Sequence, residues 1–408
     1  MQIRLVKGQL KYLQPKTIFQ ILLALIWTRN TIWPFIEQLF GRLPLVSYVY
    51  QYIFPSLLLV TAVLSVPFII QKLRAHDFLF CFSFVVLVLV SYLLFSKNQV
   101  YIETYLYDML VLSLPMYLLG VCCSYVECNK TLFWMSLISV ATMFAYQAYL
   151  IFIGDYVGAY NMSASYKILP SVMYLISCAM NEAKVLNLCS AAAGIFLLFS
   201  YGTRGPILAV FVFLFAGAFI SLIKSKKVYY RVFAALSTGM LVLIASSEQV
   251  IINLAIKVNE WFSTLGLSTR IFDYFINGEI AYDSGRNILK ATVESAISQR
   301  PMFGYGIMGD RVLLGTYVHN LPLELWCDFG MFFGTLFLGG IAFLSVWALR
   351  KSRGTPQFVF VGMFICFVLI KLFFSGSYLI EPYFYFMIGV LVNAIRNPYK
   401  IEMAEQLH

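Results

Sequence analysis

Apolar runs of about 20 residues recur almost from end to end of this 408-residue chain, and no other feature limits its fold so sharply. A run of that length crosses a hydrocarbon core about 30 Å thick as α-helix, the form in which one segment satisfies its own backbone in lipid. With 61% of residues hydrophobic and 12% charged, and a mean hydropathy of +0.81, the composition lies far from that of a soluble domain. The expected fold is an all-α polytopic membrane protein, with residues 1–408 forming a single integral membrane domain.

Spans are predicted at about 17–40, 45–70, 77–95, 105–125, 131–154, 165–181, 185–202, 205–223, 230–248, 321–349, 356–375 and 379–395, about twelve helices in all. The first follows Arg4, Lys7, Lys11 and Lys16 and imitates a secretory signal. It has no small-x-small cleavage site and further spans follow, so it reads as a helix, interrupted by Arg29 and Asn30 and bent at Pro34. Orientation comes from the basic clusters Lys72/Arg74, Lys224/Lys226/Lys227/Arg231, Arg350/Lys351/Arg353 and Arg396/Lys400, which all fall on one side. That side carries 17 Lys and Arg against 5 Asp and Glu, and the rest of the chain 12 against 14. The positive-inside rule makes both termini cytoplasmic. The same flanking pattern accounts for the basic net charge of +10 without nucleic acid. Eight cysteines, with no CxxC and none between Gln249 and Leu321, give neither a disulfide framework nor a zinc site.

One connection is long: residues 249–320, between the ninth and tenth spans, on the outer side. With six basic and six acidic residues it is neutral overall, and loops of that size usually carry function. Within it, Ile288–Ile297 has helical spacing, with Ser284 as N-cap and Pro301 ending the helix at Arg300. Val250–Leu265 is amphipathic enough to lie along the membrane interface.

The outer face should be poor in basic residues, yet three arginines stand there in tight glycine contexts: Thr203-Arg204-Gly205, Ser284-Gly285-Arg286 and Gly309-Asp310-Arg311. Arg204 sits in a short turn between apolar helices, where a guanidinium needs an anion or water. For any single one of them, snorkelling to lipid headgroups is an adequate account. Three together point to phosphate or pyrophosphate, whose oxygens the planar fork matches in pairs.

His319, one of three histidines, should lie just outside the tenth span, with Asn320 as N-cap and Pro322 in the first turn. The helix dipole there disfavours imidazolium and favours a bound anion, while a phosphate would favour protonation; the two oppose. A near-neutral histidine beside an anion is suited to accept a proton from a hydroxyl; an interfacial histidine bonded to a carbonyl is the alternative. Glu324 and Asp328 share one face of the next helix, placed to orient the histidine, pair with an arginine or face water. Lys371 and Glu381, at the outer ends of the last two spans, are candidates for the same cavity. Glu37 is the carboxylate base if His319 is structural.

The sequence has no GxxxxGK[ST] loop, no HExxH, no DxD pair and no cytoplasmic domain large enough for a nucleotide. A reaction on the outer side without metal or other cofactor fits better.

TRGP at 203–206, SGRN at 284–287, PMFGYGIMGDR at 301–311, and HN at 319–320 followed after nine residues by Gly330 form an ordered set. It resembles the O-antigen polymerase and ligase superfamily of bacterial envelope glycan enzymes. The N-terminal half matches only as generic membrane helix. The resemblance implies a GT-C-type inner-membrane glycosyltransferase with a periplasmic active site, whose donor is a glycan on undecaprenyl pyrophosphate. By motif, Arg204 and Arg286 hold the pyrophosphate and His319 activates or orients the acceptor hydroxyl, with Arg311, Asp310, Asn320 and Glu324 binding substrate. Transfer proceeds with inversion and without metal. A polymerase uses a second lipid-linked repeat unit as acceptor; a ligase uses the lipid A core. Phe333 before Gly334 departs slightly from the ligase pattern, and GYGIMGDR looks more like polymerases. Implied partners are the lipid-linked glycan, membrane lipid, a chain-length regulator and a flippase. The rival class is a lipid-linked oligosaccharide flippase or other transporter, which twelve spans with both ends inside would also suit. Transporters commonly show related halves and a mid-membrane charged site, and this chain has no visible internal repeat.

Overall fold

The computed structural model describes residues 14–33, 36, 40, 44–152, 162–224, 248–277 and 286–397, and all regular structure among them is helical. Proline stands in the first turn of several helices, at Pro15, Pro55, Pro322, Pro356 and Pro382, where its missing N–H costs nothing.

Helix occupies every predicted span that falls within the described residues. The ninth, 230–248, lies outside them but for its last residue, and Glu37 and Ser284 lie outside them too. Among the described residues, six segments are by themselves long and apolar enough to cross a membrane: Phe54–Lys72, Ala75–Leu94, Ser96–Cys122, Tyr125–Tyr149, Leu321–Ser352 and Pro356–Phe374. The chain is therefore a multi-pass membrane protein. Among the rest, Met162–Asn181 is buried along nearly its whole length, and a helix shielded from lipid by its neighbours need not be apolar all round.

The core is a bundle of aromatic side chains, with Phe360, Phe364, Phe367, Phe384 and Phe386 at most 1% exposed. Its tightest contact is between Leu114–Cys122 and Pro382–Arg396. A Cβ on Gly120 would fall 2.2 Å from the Phe386 carbonyl, and one on Gly389 2.2 Å from that of Tyr117, so glycine alone permits this approach. The outward surface is the reverse of a soluble protein's: Leu59, Val63, Phe82 and Leu93 stand mostly exposed, as lipid-facing residues do.

At the end that carries the basic clusters, both terminal nitrogens of Arg396 donate to Asp77, at 2.6 and 2.8 Å, and the Tyr117 hydroxyl donates to the same carboxylate at 2.8 Å. Lys72 pairs with Glu127 at 2.8 Å. These bonds fasten the basic ends of the helices together.

The predicted loop helices appear as Glu248–Thr264 and Arg286–Gln299, and two short ones, Arg270–Ile276 and Gly309–Leu314, were not anticipated. The apolar face of Glu248–Thr264 packs against a helix end, Phe262 meeting Phe196 at 6.0 Å. The tenth span is not continuous. It breaks at Gly330 (φ 78°, ψ 168°), and the 301–306 segment enters the break. There Tyr305 and Gly306 N–H donate to the Cys327 and Asp328 carbonyls at 2.7 and 3.0 Å, and Met331 N–H to that of Pro301 at 2.7 Å.

Candidate active site

The turn between the last two described helices, residues 375–381, organises the opposite end of the bundle. Lys371 and Glu381 close its base as an ion pair at 2.5 Å. From it and the preceding Phe374, hydroxyls and main-chain carbonyls reach Arg286, Arg311, Tyr317, Glu324 and Asp328.

On one side lies a closed ionic network. Arg311 donates to Asp310 at 2.6 Å, to Glu324 at 2.8 Å and to the Ser377 hydroxyl at 2.5 Å. Ser377 in turn donates to Glu324, and the Val318 N–H donates to Asp310 at 3.0 Å. Asp328 accepts from the Tyr378 hydroxyl at 2.7 Å and from Gly309 N–H at 3.2 Å. Burial opposes the charge on Arg311, but Glu324 and Asp310 more than offset it, so its pKa is raised and it stays charged. Here the structure departs from expectation. Asp310, Arg311 and Glu324 are 0–1% exposed and pair with one another, so they frame the site instead of lining it. Asp328 serves the same frame. Asn320 caps the helix as expected, its side-chain oxygen accepting from Leu323 N–H at 3.1 Å.

On the open side of this frame stands His319. Its backbone is left-handed (φ 57°), which turns the half-buried ring onto that of Tyr317, 4.1 Å away. The Tyr317 hydroxyl donates to the Ser375 carbonyl at 3.3 Å. Arg286, at the start of its helix, donates to the neighbouring Phe374 carbonyl. The structure thus brings Arg286 and His319 to one turn. Burial first, then the charges of Arg286 and Arg311, push the His319 pKa from 6.5 down to about 4, against a smaller upward pull from the Ser375 carbonyl. The imidazole is neutral at pH 7. Its Nδ1 is buried and has no hydrogen-bond partner among the described residues.

Arg204 lies along the same end of the bundle, against a tyrosine ring. Its guanidinium sits 4.5 Å above the Tyr274 ring, whose hydroxyl accepts from Arg270 Nε at 2.9 Å. Gly205 is pressed on Tyr166, where a Cβ would lie 2.1 Å from the hydroxyl. Lys371 is 5.7 Å from the same ring. Tyr166 and Lys371 therefore bridge the interval between the 203–206 turn and the 375–381 turn. An open groove of about 640 Å³ runs beside the Arg286–Gln299 helix, lined by Ile288, Thr292, Ser295, Gln299, Tyr305 and Leu313 among others. It lies on the opposite helix face from Arg286 and holds none of these cations.

Several residues of this region carry no distinctive sequence signal: Tyr166, Arg270, Tyr274, Tyr317, Ser375, Ser377 and Tyr378. The nearest to one is the string SGSYLIE at 375–381, polar residues around Gly376 between two apolar spans. Compared with known proteins, the chain matches no family model, no curated protein and no solved structure.

Proposed function

We propose that the protein is a surface-polysaccharide polymerase of the O-antigen type, joining undecaprenyl-pyrophosphate-linked repeat units at the periplasmic face of the inner membrane. The observation that carries this reading is the pairing of Arg286 with a neutral His319 at one outward turn, with Lys371 and Arg204 along the same rim.

The acceptor hydroxyl attacks the anomeric carbon from the face opposite the diphosphate. The bond from that carbon to the diphosphate oxygen breaks, the diphosphate leaves with the electron pair, and the hydroxyl proton passes to His319. Arg286 and Arg204 stabilise the charge that develops on the leaving group, and their placement before the reaction avoids reorganisation during it. His319 is a weak base because it is partly buried and because the Arg286 charge lies near it. A diphosphate that neutralises Arg286 raises its basicity, so proton transfer is coupled to donor binding. Arg311, Asp310, Glu324 and Asp328 act through the frame, as positioning residues. Clustering of these charges at the outer end of the bundle, away from mid-membrane, favours this reading over a transporter.

Arg204→Ala, Arg286→Ala and His319→Ala should each reduce long-chain glycan to single repeat units while the protein remains in the membrane. Normal chain lengths from all three overturn the proposal. Arg286→Lys should fail as well, because an ammonium does not reproduce the planar fork. Purified protein supplied with lipid-linked repeat units, and in parallel with lipid A core, separates polymerase from ligase by the acceptor that is extended.

A further inference from the structure

The 300–308 segment belongs to the loop that the sequence places in water, yet it displays apolar side chains from a rigid backbone. Gly304 N–H donates to the Arg300 carbonyl at 3.2 Å, and three further main-chain bonds tie the segment into the helix break at Gly330. From the other side, Asn98 Nδ2 donates to the Tyr305 and Ile307 carbonyls at 2.8 and 2.7 Å, and Ile307 N–H donates to the Ser91 hydroxyl at 2.8 Å. Held this firmly, the tip still leaves Met302 58% and Phe303 72% exposed.

The surroundings of the tip identify what it meets. Phe303 stands 6.4 Å from Phe333, and Phe332 and Leu336 on the same helix are 61% and 66% exposed. From Met331 to Arg350 the helix has 20 residues, which at about 1.5 Å per residue spans roughly 30 Å, the thickness of the hydrocarbon core. Arg350, Lys351 and Arg353 mark its inner limit, so Met331 lies at the outer one. The bond from Met331 to Pro301 fixes the tip at that depth. Arg300, exposed and 5.0 Å from the Tyr305 ring, stands where a cation meets headgroup phosphates.

We infer that the Met302–Phe303 tip is inserted among the lipid acyl chains of the leaflet next to the candidate site, as a continuation of the lipid-facing surface of the broken helix. It acts as a depth stop: Arg311 and His319 follow on the same rigid segment, so the height of the tip sets theirs. This holds whether or not the site is a glycosyltransferase.

The test uses the full chain in phospholipid vesicles, with Cys81, Cys189 and Cys366 changed to serine to remove the accessible thiols. A nitroxide is placed at Phe303→Cys, with Phe332→Cys as the lipid reference and Ser298→Cys as the water reference. Relaxation by dissolved oxygen is compared with relaxation by a water-soluble nickel chelate. Position 303 should match 332, with oxygen dominant. A match to 298 overturns the inference, and so does spin–spin broadening that disappears on dilution with unlabelled protein, because a second copy would then cover the tip. Met302→Cys gives the same readout if the 303 variant does not fold.

Discussion

His319 is held neutral by its surroundings, and that state is directly measurable, since the chain has only three histidines. With ring-labelled histidine, one imidazole should titrate near pH 4, and addition of inorganic diphosphate should move it upward. A midpoint near 6.5, unmoved by diphosphate, would remove the coupling between anion and base. The sign for stability follows from linkage. Above pH 6.5 both folded and unfolded chains carry neutral His319; as pH falls toward 4 only the unfolded chain gains the proton, so the fold loses stability through that window. Arg311 makes the contrasting case. Arg311→Met would leave buried carboxylates without their counter-charge and should destabilise the protein by about 3–5 kcal/mol, read as a lower unfolding temperature in detergent. An arginine serving substrate alone would leave that temperature unchanged. Arg286 and His319 drew attention in the sequence as an arginine in a glycine context on the side expected to be poor in basic residues and as a histidine just before a helix N-terminus. The closure of Arg311 on Asp310 and Glu324 was not, because adjacency in sequence does not reveal whether charges face one another or a ligand.

Among the elements, the helices were legible wherever lipid imposes uniform apolarity. The break at Gly330 was hidden because the apolar pattern continues on both sides of it. Only the backbone shows that the 301–306 segment supplies the hydrogen bonds the helix gives up, and a Cβ at Gly330 would meet the Met302 carbonyl at 2.3 Å. The Gly120–Gly389 contact was equally silent, since glycines are common in membrane helices for many reasons. It carries its own test. Gly389→Val forces a side chain against backbone and should cost at least about 1–3 kcal/mol or abolish folding. Gly340→Val, where a Cβ meets nothing within 4 Å, should unfold at the temperature of the unaltered protein.

Across the whole molecule, both ends are fastened by ion pairs, and one of them adds main-chain anchors. The end that carries the basic clusters uses Asp77 with Arg396 and Lys72 with Glu127. At the opposite end, Arg311 with Glu324 and Lys371 with Glu381 are joined by contacts from Arg286 and Tyr317 that are accepted by the carbonyls of Phe374 and Ser375. This difference bears on how the protein would answer to mutagenesis. Peptide oxygens survive every side-chain replacement, so alanine scanning through Phe374 and Ser375 would pass these two anchor points without a signal, however much the site depends on them. Removing Gly376 shifts the register of the turn while leaving both anchoring residues in place. That deletion should unseat Arg286 and Tyr317 together and abolish chain extension, with Phe374→Ala and Ser375→Ala remaining active beside it.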